Sequence, residues 1–163
     1  MFERLKKVVA ILNSGEPQNG GPKVIGPVDA LKASYHQLIT LAEQIDLHAE
    51  KAPYPHLAQQ LRQIAAAKRS GADLLREKML SLWARPEEKP LDLKSARNHW
   101  ERMVQDLDDQ KELETRFEER ATVLAEEAPE IAELLRELVT SQSHHRVALL
   151  DLIARADPQA DQT

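Results

Sequence analysis

The stretch PHLAQQLRQI, residues 55–64, returns in similar form as PEIAELLREL at residues 129–138. In both stretches a proline stands first, and apolar residues recur at intervals of three and four, as on the buried face of a helix. The offset is 74 residues, since 129 − 55 = 74. We interpret the two stretches as equivalent helices of a duplicated helical hairpin; the alternative is that Leu- and Ala-rich helices look alike by chance.

Helix-breaking residues divide the neighbouring sequence into four long helical segments. We predict helices over about 28–52, 56–84, 92–127 and 129–156, with Asp92 as the N-cap of the third. Residues 28–156 then form one domain of two hairpins, 28–84 and 92–156. The fold class expected is all-α, an antiparallel four-helix bundle, either up-down throughout or with one longer crossover.

The two ends of the chain differ from this domain. The spacing of apolar residues predicts a short amphipathic helix over residues 1–13. Residues 14–27 are a linker rich in Gly and Pro, and residues 157–163 are a polar tail. The apolar face of the first helix is a candidate partner-binding surface: Phe2, Leu5, Val8, Val9 and Leu12. It could pack on its own bundle, on a second subunit, on a protein partner or on a membrane surface.

Composition excludes several classes of function. The 163 residues contain no cysteine, which excludes disulfides, Cys-ligated zinc and thiol catalysis. The net charge of −5, with signs interspersed, argues against a nucleic-acid binder, which needs a basic face. No segment approaches the roughly 20 apolar residues of a membrane span, so we expect a cytoplasmic protein.

The core-facing seams of the second, third and fourth helices become polar midway and then apolar again. We predict that one buried polar layer contains Lys68, Glu114, Gln142 and His145. Buried charges are expensive unless they are paired, so Lys68 would pair with Glu114, and His145 with Gln142 or Glu114. Alternatively, the second helix is rotated and Lys68 reaches the surface. The histidines His48, His56 and His99 are expected at the surface or at helix ends.

The second helical segment is similar to a known family. Residues 54–65, YPHLAQQLRQIA, continuing to GADLLREK at 71–78, resemble the second bundle helix of rubrerythrin-like proteins in the ferritin-like superfamily. The resemblance covers about residues 28–155 and implies a ferritin-like four-helix bundle. It also implies a di-iron centre, to which each half would contribute a Glu from one helix and a Glu-x-x-His from the next.

The di-iron motif implied by this resemblance is degenerate. Aligned by the repeat, the first Glu-x-x-His falls on Lys68 and Gly71, and the second falls on Gln142 and His145. No Glu-x-x-His occurs anywhere in the sequence. If a metal is bound at all, the candidate ligands are Glu43, Glu114, Glu118 and His145.

Three functions remain open. The first is a non-catalytic interaction or structural protein without cofactor, a homo-oligomer such as a dimer, which recruits a partner through residues 1–13. The second is a divergent ferritin-like metalloprotein, an iron or manganese oxidoreductase with an incomplete ligand set. The third is a small-molecule binder with a cavity opened by Gly71.

Overall fold

The computed structural model describes residues 25–156, which form four helices and contain no strand. Helix α1 spans Pro27–Glu50, α2 spans Pro55–Ser81, α3 spans His99–Leu124 and α4 spans Pro129–Arg155. The predicted all-α four-helix bundle is therefore confirmed. The predicted N-terminal helix 1–13, the linker up to residue 24 and the tail 157–163 lie outside the described residues.

Helices α2 and α4 match closely in their local structure. Each has 27 residues and begins with a proline in its first turn, where the missing N–H leaves no backbone bond unmade. Pro55 and Pro129 thus start the two helices at the positions that the repeat assigned to equivalent residues. The chain between them contains α3 and the connection that leads to it.

Helix α3 begins seven residues later than the sequence predicted, so the assignment of Asp92 as its N-cap is wrong. Asn98 is the N-cap, and its Oδ1 accepts a hydrogen bond of 2.8 Å from the backbone N–H of Glu101. The Glu101 carboxylate in turn accepts a bond of 3.1 Å from the backbone N–H of Arg97. This reciprocal capping stabilises a helix start at His99, whereas Asp92 lies in the connecting segment.

The connection between the hairpins, residues 82–98, is a long crossover, the second of the two predicted arrangements, and it is longer than the gap left between the predicted helices 56–84 and 92–127. It follows α1: Glu87 lies 3.5 Å from Lys32, and the backbone N–H of Lys94 donates to Gln44 Oε1 at 3.3 Å. The segment therefore travels from one end of the bundle to the other. As a result α2 and α3 run in the same direction, while each helix is antiparallel to its own hairpin partner.

The apolar core lies along the axis between the four helices. Its fully buried members include Leu31, Leu61, Met103, Phe117 and Leu135. Pairing within each hairpin is the closest, and α2 and α4 are joined by Lys68 with Gln142 and by Lys78 with Glu130. No helix within residues 25–156 combines the length and the apolar character that crossing a membrane requires.

The predicted cavity at Gly71 is absent, because the space is filled. A Cβ atom at this position would lie 3.1 Å from Leu138 Cδ2 and 3.6 Å from Leu38 Cδ1. The missing side chain lets α2 approach α4, and the neighbouring leucines occupy the space that this creates. Gly71 therefore brings helices together and does not open a pocket.

Candidate functional site

The ammonium group of Lys68 lies in the centre of the bundle. The side chain is fully buried, and its Nζ contacts Gln110 Oε1 of α3, Gln142 Oε1 of α4 at 2.6 Å and His145 Nδ1 of α4 at 3.1 Å. When His145 Nδ1 carries no proton, these three acceptors match the three N–H donors of the ammonium. The long stem of Lys68 thus carries its charge into the core.

The two glutamines close the network around the amine. Gln110 Nε2 donates to the backbone carbonyl of Gln142 at 3.2 Å, while the oxygens of both side-chain amides face Lys68. His145 Nδ1 also lies 2.9 Å from Gln142 Oε1. The amide dipoles are therefore fixed with their negative ends towards the cation, as a buried charge requires.

Burial controls the ionisation of the two titratable groups in this cluster. Desolvation lowers the pKa of Lys68 to about 7, and the negative charges of Glu114 and Asp106 oppose that shift. Desolvation also lowers the pKa of His145 to about 4, helped by the positive charge of Lys68 and by His144. At neutral pH His145 is uncharged, and its Nδ1 can accept a hydrogen bond from Lys68.

Glu114 does not form the direct pairs predicted from its position. Its side chain is 13% exposed, and its Oε2 lies 3.6 Å from Arg146 Nε, beyond hydrogen-bond distance. Gln110, one turn earlier on α3, contacts Lys68 in its place. Gln110 follows Met103 and Leu107 at the intervals of four and three that mark the core-facing side of the helix, and this spacing was the available signal for it. The layer predicted from charge did not include Gln110.

The four candidate metal ligands are not gathered in one place. Glu43 Oε2 accepts from Arg69 at 3.0 Å, Glu118 Oε1 accepts from Arg136 at 3.4 Å, and Glu114 is paired with Arg146. His145 is in the Lys68 cluster. Within residues 25–156, no group of three or more His, Asp or Glu side chains is arranged to hold a metal ion.

A second buried polar cluster, which sequence reasoning missed, joins α1 to α3. Asp106 is fully buried; its Oδ2 lies 2.7 Å from His48 Nδ1, and its Oδ1 accepts from Gln44 Nε2 at 2.9 Å. Burial raises the pKa of Asp106, and the bonds from His48 and Gln44 limit the rise. His48 lies in the last turn of α1, one of the two positions expected for it, but it is buried and not at the surface. The i, i+4 spacing of Gln44 and His48 was the available signal for the cluster.

Comparison with known proteins identifies a solved structure with a similar fold. No family model and no curated protein sequence matches this chain. The structure is similar to the dodecameric thioferritin of Bacteroides fragilis, a bacterioferritin-related protein, with a TM-score of 0.70 and 17% sequence identity over 91% of this chain and 93% of that one. The fold is ferritin-like. At this identity the likeness concerns the architecture, and the site must be judged on its own residues.

The residues at the centre of this bundle do not fit the di-iron group associated with ferritin-like folds. That group needs inward-facing Glu carboxylates and His side chains on the facing helices. Here α2 presents Lys68 and Gly71, and α4 presents Gln142 and His145. An ammonium repels cations, neutral amides are poor iron ligands, and the His145 nitrogen nearest the centre is already hydrogen-bonded.

Proposed function

We propose that this protein is a non-catalytic, metal-independent form of the ferritin-like bundle that acts through binding to other molecules. The observation that carries the proposal is the position of Lys68 Nζ, fully buried among neutral acceptors from α3 and α4. A charge in that place supplies the hydrogen bonds that tie three helices together. It makes the polar layer a structural element that needs no metal.

Elemental analysis tests the metal-independent half of this proposal. The full chain is expressed in medium supplemented with iron and manganese, purified without chelators, and compared with the His145→Ala variant. We expect far less than one metal ion per chain in both proteins. The combination Lys68→Glu with Gln142→Glu removes the ammonium and gives a Glu-x-x-His at 142–145, so its metal content should exceed that of the wild type.

A measured metal content close to one ion per chain would overturn the proposal. Close to one bound metal ion per wild-type chain, lost in His145→Ala, would favour the divergent metalloprotein. The ligands of such a metal would have to include carboxylates that now contact Arg69, Arg136 and Arg146. A rearrangement of those ion pairs on metal binding would then be visible by NMR.

The binding half of the proposal is self-association, with the apolar face of residues 1–13 meeting a second copy of the chain. Two observations support it. The ferritin-like neighbour is itself described as dodecameric. In addition, Leu80, Leu82 and Trp83 are exposed at the end of the bundle where α1 begins, and Trp83 is 99% exposed.

Light scattering of the full chain tests this part. We expect an oligomer that dissociates when Leu5→Ser and Val9→Ser are combined, with unchanged helicity. The matched control combines Lys6→Ser with Lys7→Ser, which alters the polar face of the same segment. A monomeric wild type that co-sediments with lipid vesicles would instead favour a membrane surface as the partner.

A further inference from the structure

A cavity of about 440 Å³ lies between α1 and α3, beside the crossover of residues 82–98. Its walls come from three elements: Ala33, Gln37 and Leu41 belong to α1, Lys94 to the crossover, and Arg120 to α3. The volume is typical of sites that bind small organic molecules. The cavity lies on the α1–α3 side of the molecule and includes none of the Lys68 cluster.

Within the part of the chain that the structure describes, Arg120 is the cation in this cavity that forms no ion pair with a carboxylate. Its Nη1 donates to Ser34 Oγ at 3.1 Å and to Gln37 Oε1 at 3.0 Å, and both acceptors are neutral. Its guanidinium carbon lies 5.9 Å from the centre of the Phe117 ring. Within residues 25–156 Arg120 forms no ion pair, and its Nε and Nη2 make no hydrogen bond.

The other cations around the cavity each have a carboxylate. Lys94 is paired with Asp109, and Lys89 lies 2.9 Å from Glu87. Arg116, one turn before Arg120, lies 3.5 Å from Glu119 and 3.8 Å from Glu112. Among the lining cations of the described segment, Arg120 is therefore the one without a carboxylate partner, while the carboxylate of Asp92 also lines the cavity.

The lowered pKa of Arg120 agrees with the lack of a paired carboxylate. Burial and the nearby charge of Arg116 lower the pKa of Arg120 to about 10, and the negative charge of Glu119 opposes the shift. The group remains a cation at neutral pH, although its surroundings disfavour the charge. An anion beside it would restore the interaction with opposite charge that other buried arginines obtain from Asp or Glu. Ser34 and Gln37 hold the guanidinium in a fixed orientation for that contact.

We propose that the cavity between α1 and α3 binds a small organic oxoanion, a carboxylate or a phosphate, whose charged group pairs with Arg120. The planar guanidinium still offers its Nε and Nη2 donors, which suit two oxygens of one oxoanion. Ala33 and Leu41 provide an apolar wall for the rest of the ligand. This site goes beyond the proposed function, because it is independent of both the metal content and the oligomeric state.

Calorimetric titration of the full chain tests the proposal. The probes are sodium acetate, succinate, citrate and phosphate, with sodium chloride at equal ionic strength as the reference. We expect saturable binding of at least one oxoanion. The variant Arg120→Gln should bind it at least about tenfold more weakly, the effect expected from losing a charged hydrogen bond.

Two further variants separate a specific site from general attraction. Arg136→Gln makes the same change of charge on α4, at an exposed residue paired with Glu118, and should bind like the wild type. Ala33→Phe fills the cavity without changing charge and should abolish binding while helicity is retained. It therefore decides the question even if Arg120→Gln does not fold.

Three outcomes overturn the proposal. They are the absence of saturable binding by every probe, equal loss of binding in Arg136→Gln, and full binding by a folded Ala33→Phe. A response to phosphate alone would identify the ligand as phosphorylated, and a response to carboxylates alone would identify it as an organic acid. Either result leaves the metal analysis of the Lys68 layer unaffected, so the two proposals fail separately.

Discussion

Lys68 and Gln142 are 74 residues apart, the offset of the sequence repeat, and Lys68 Nζ lies 2.6 Å from Gln142 Oε1. If the two hairpins arose by duplication, these are equivalent residues, and each meets its own counterpart near the axis that relates the halves. Two lysines at that point would repel each other. The difference between the halves gives a donor on α2 and an acceptor on α4, and so converts a repulsive contact into a hydrogen bond.

The stability of the protein should rise with pH above neutrality because of Lys68. Its pKa is about 7 when folded and 10.5 ordinarily, so between these values the unfolded chain binds a proton that the folded chain lacks. The cost of the buried cation is complete below pH 7 and relieved by pH 10.5. We expect the free energy of unfolding of the wild type to rise, relative to Lys68→Met, by up to about 1.4 kcal/mol per pH unit.

Urea unfolding followed by circular dichroism from neutral to alkaline pH measures this difference. Lys111→Met, which removes an exposed amine of α3, controls for the loss of one positive charge. Parallel profiles for the wild type and Lys68→Met would contradict the burial of a titrating amine.

On the acidic side, His145 should make the protein less stable. Its pKa is lowered to about 4 from 6.5, so between these values the unfolded chain binds the proton first and stability falls as the pH falls. His145→Gln should therefore flatten this part of the stability profile. His56→Gln, at an exposed residue near the start of α2, should leave the slope as it is in the wild type. An equal slope in wild type and His145→Gln would refute the lowered pKa.

The Asp106 cluster should contribute strongly to stability. Asp106→Ala leaves His48 Nδ1 without its partner and removes one of the two bonds donated by Gln44 Nε2, which keeps its bond to Asp109 Oδ2. We expect a loss of about 3 kcal/mol in the free energy of unfolding, measured with urea at neutral pH. The matched control is Asp108→Ala, two residues away on the exposed face of α3, for which the change should be small. Similar losses in the two variants would show that the cluster stabilises nothing.

The close contact at Gly71 should not tolerate a large side chain. Leu138 Cδ2 would lie 3.1 Å from a Cβ at this position, and the rest of a leucine would have to displace the core. Gly71→Leu should lower the melting temperature, corresponding to about 1–3 kcal/mol of overpacking, although leucine is the better helix former. Ser70→Leu, one residue earlier on the exposed face, should not lower it. A stabilised Gly71→Leu would mean that α2 and α4 are farther apart than described.

Local sequence patterns were sufficient for the helices but not for their connection. Three helices have a proline in their first turn: Pro27, Pro55 and Pro129. Proline suits that position and disfavours a helical conformation in the residue before it. The start of α3 depends on a choice between two capping residues, Asp92 and Asn98. The i, i+3 pair of Asn98 and Glu101 was the local signal for the later start, and the contact of residue 94 with Gln44 of α1 belongs to the segment before it.

The sequence was sufficient to predict which core-facing positions of the helices carry the polar layer, but not which of its side chains form hydrogen bonds with one another. Seam spacing indicated where Lys68, Gln142 and His145 lie along their helices. Which side chain reaches Lys68 from α3 depends on helix rotation and on height to within one turn. Charge favoured Glu114, whereas the packed bundle brings Gln110 to the amine and leaves Glu114 near Arg146.

The amino-acid sequence alone was sufficient to predict the four helices found within residues 25–156, because helix periodicity and breaker residues act within a few positions along the chain. Only the tertiary structure decided the crossover of residues 82–98, the Asp106–His48 pair and the cavity at Arg120. Each of these depends on atoms far apart in sequence meeting at distances of a few ångströms, which side-chain packing alone fixes.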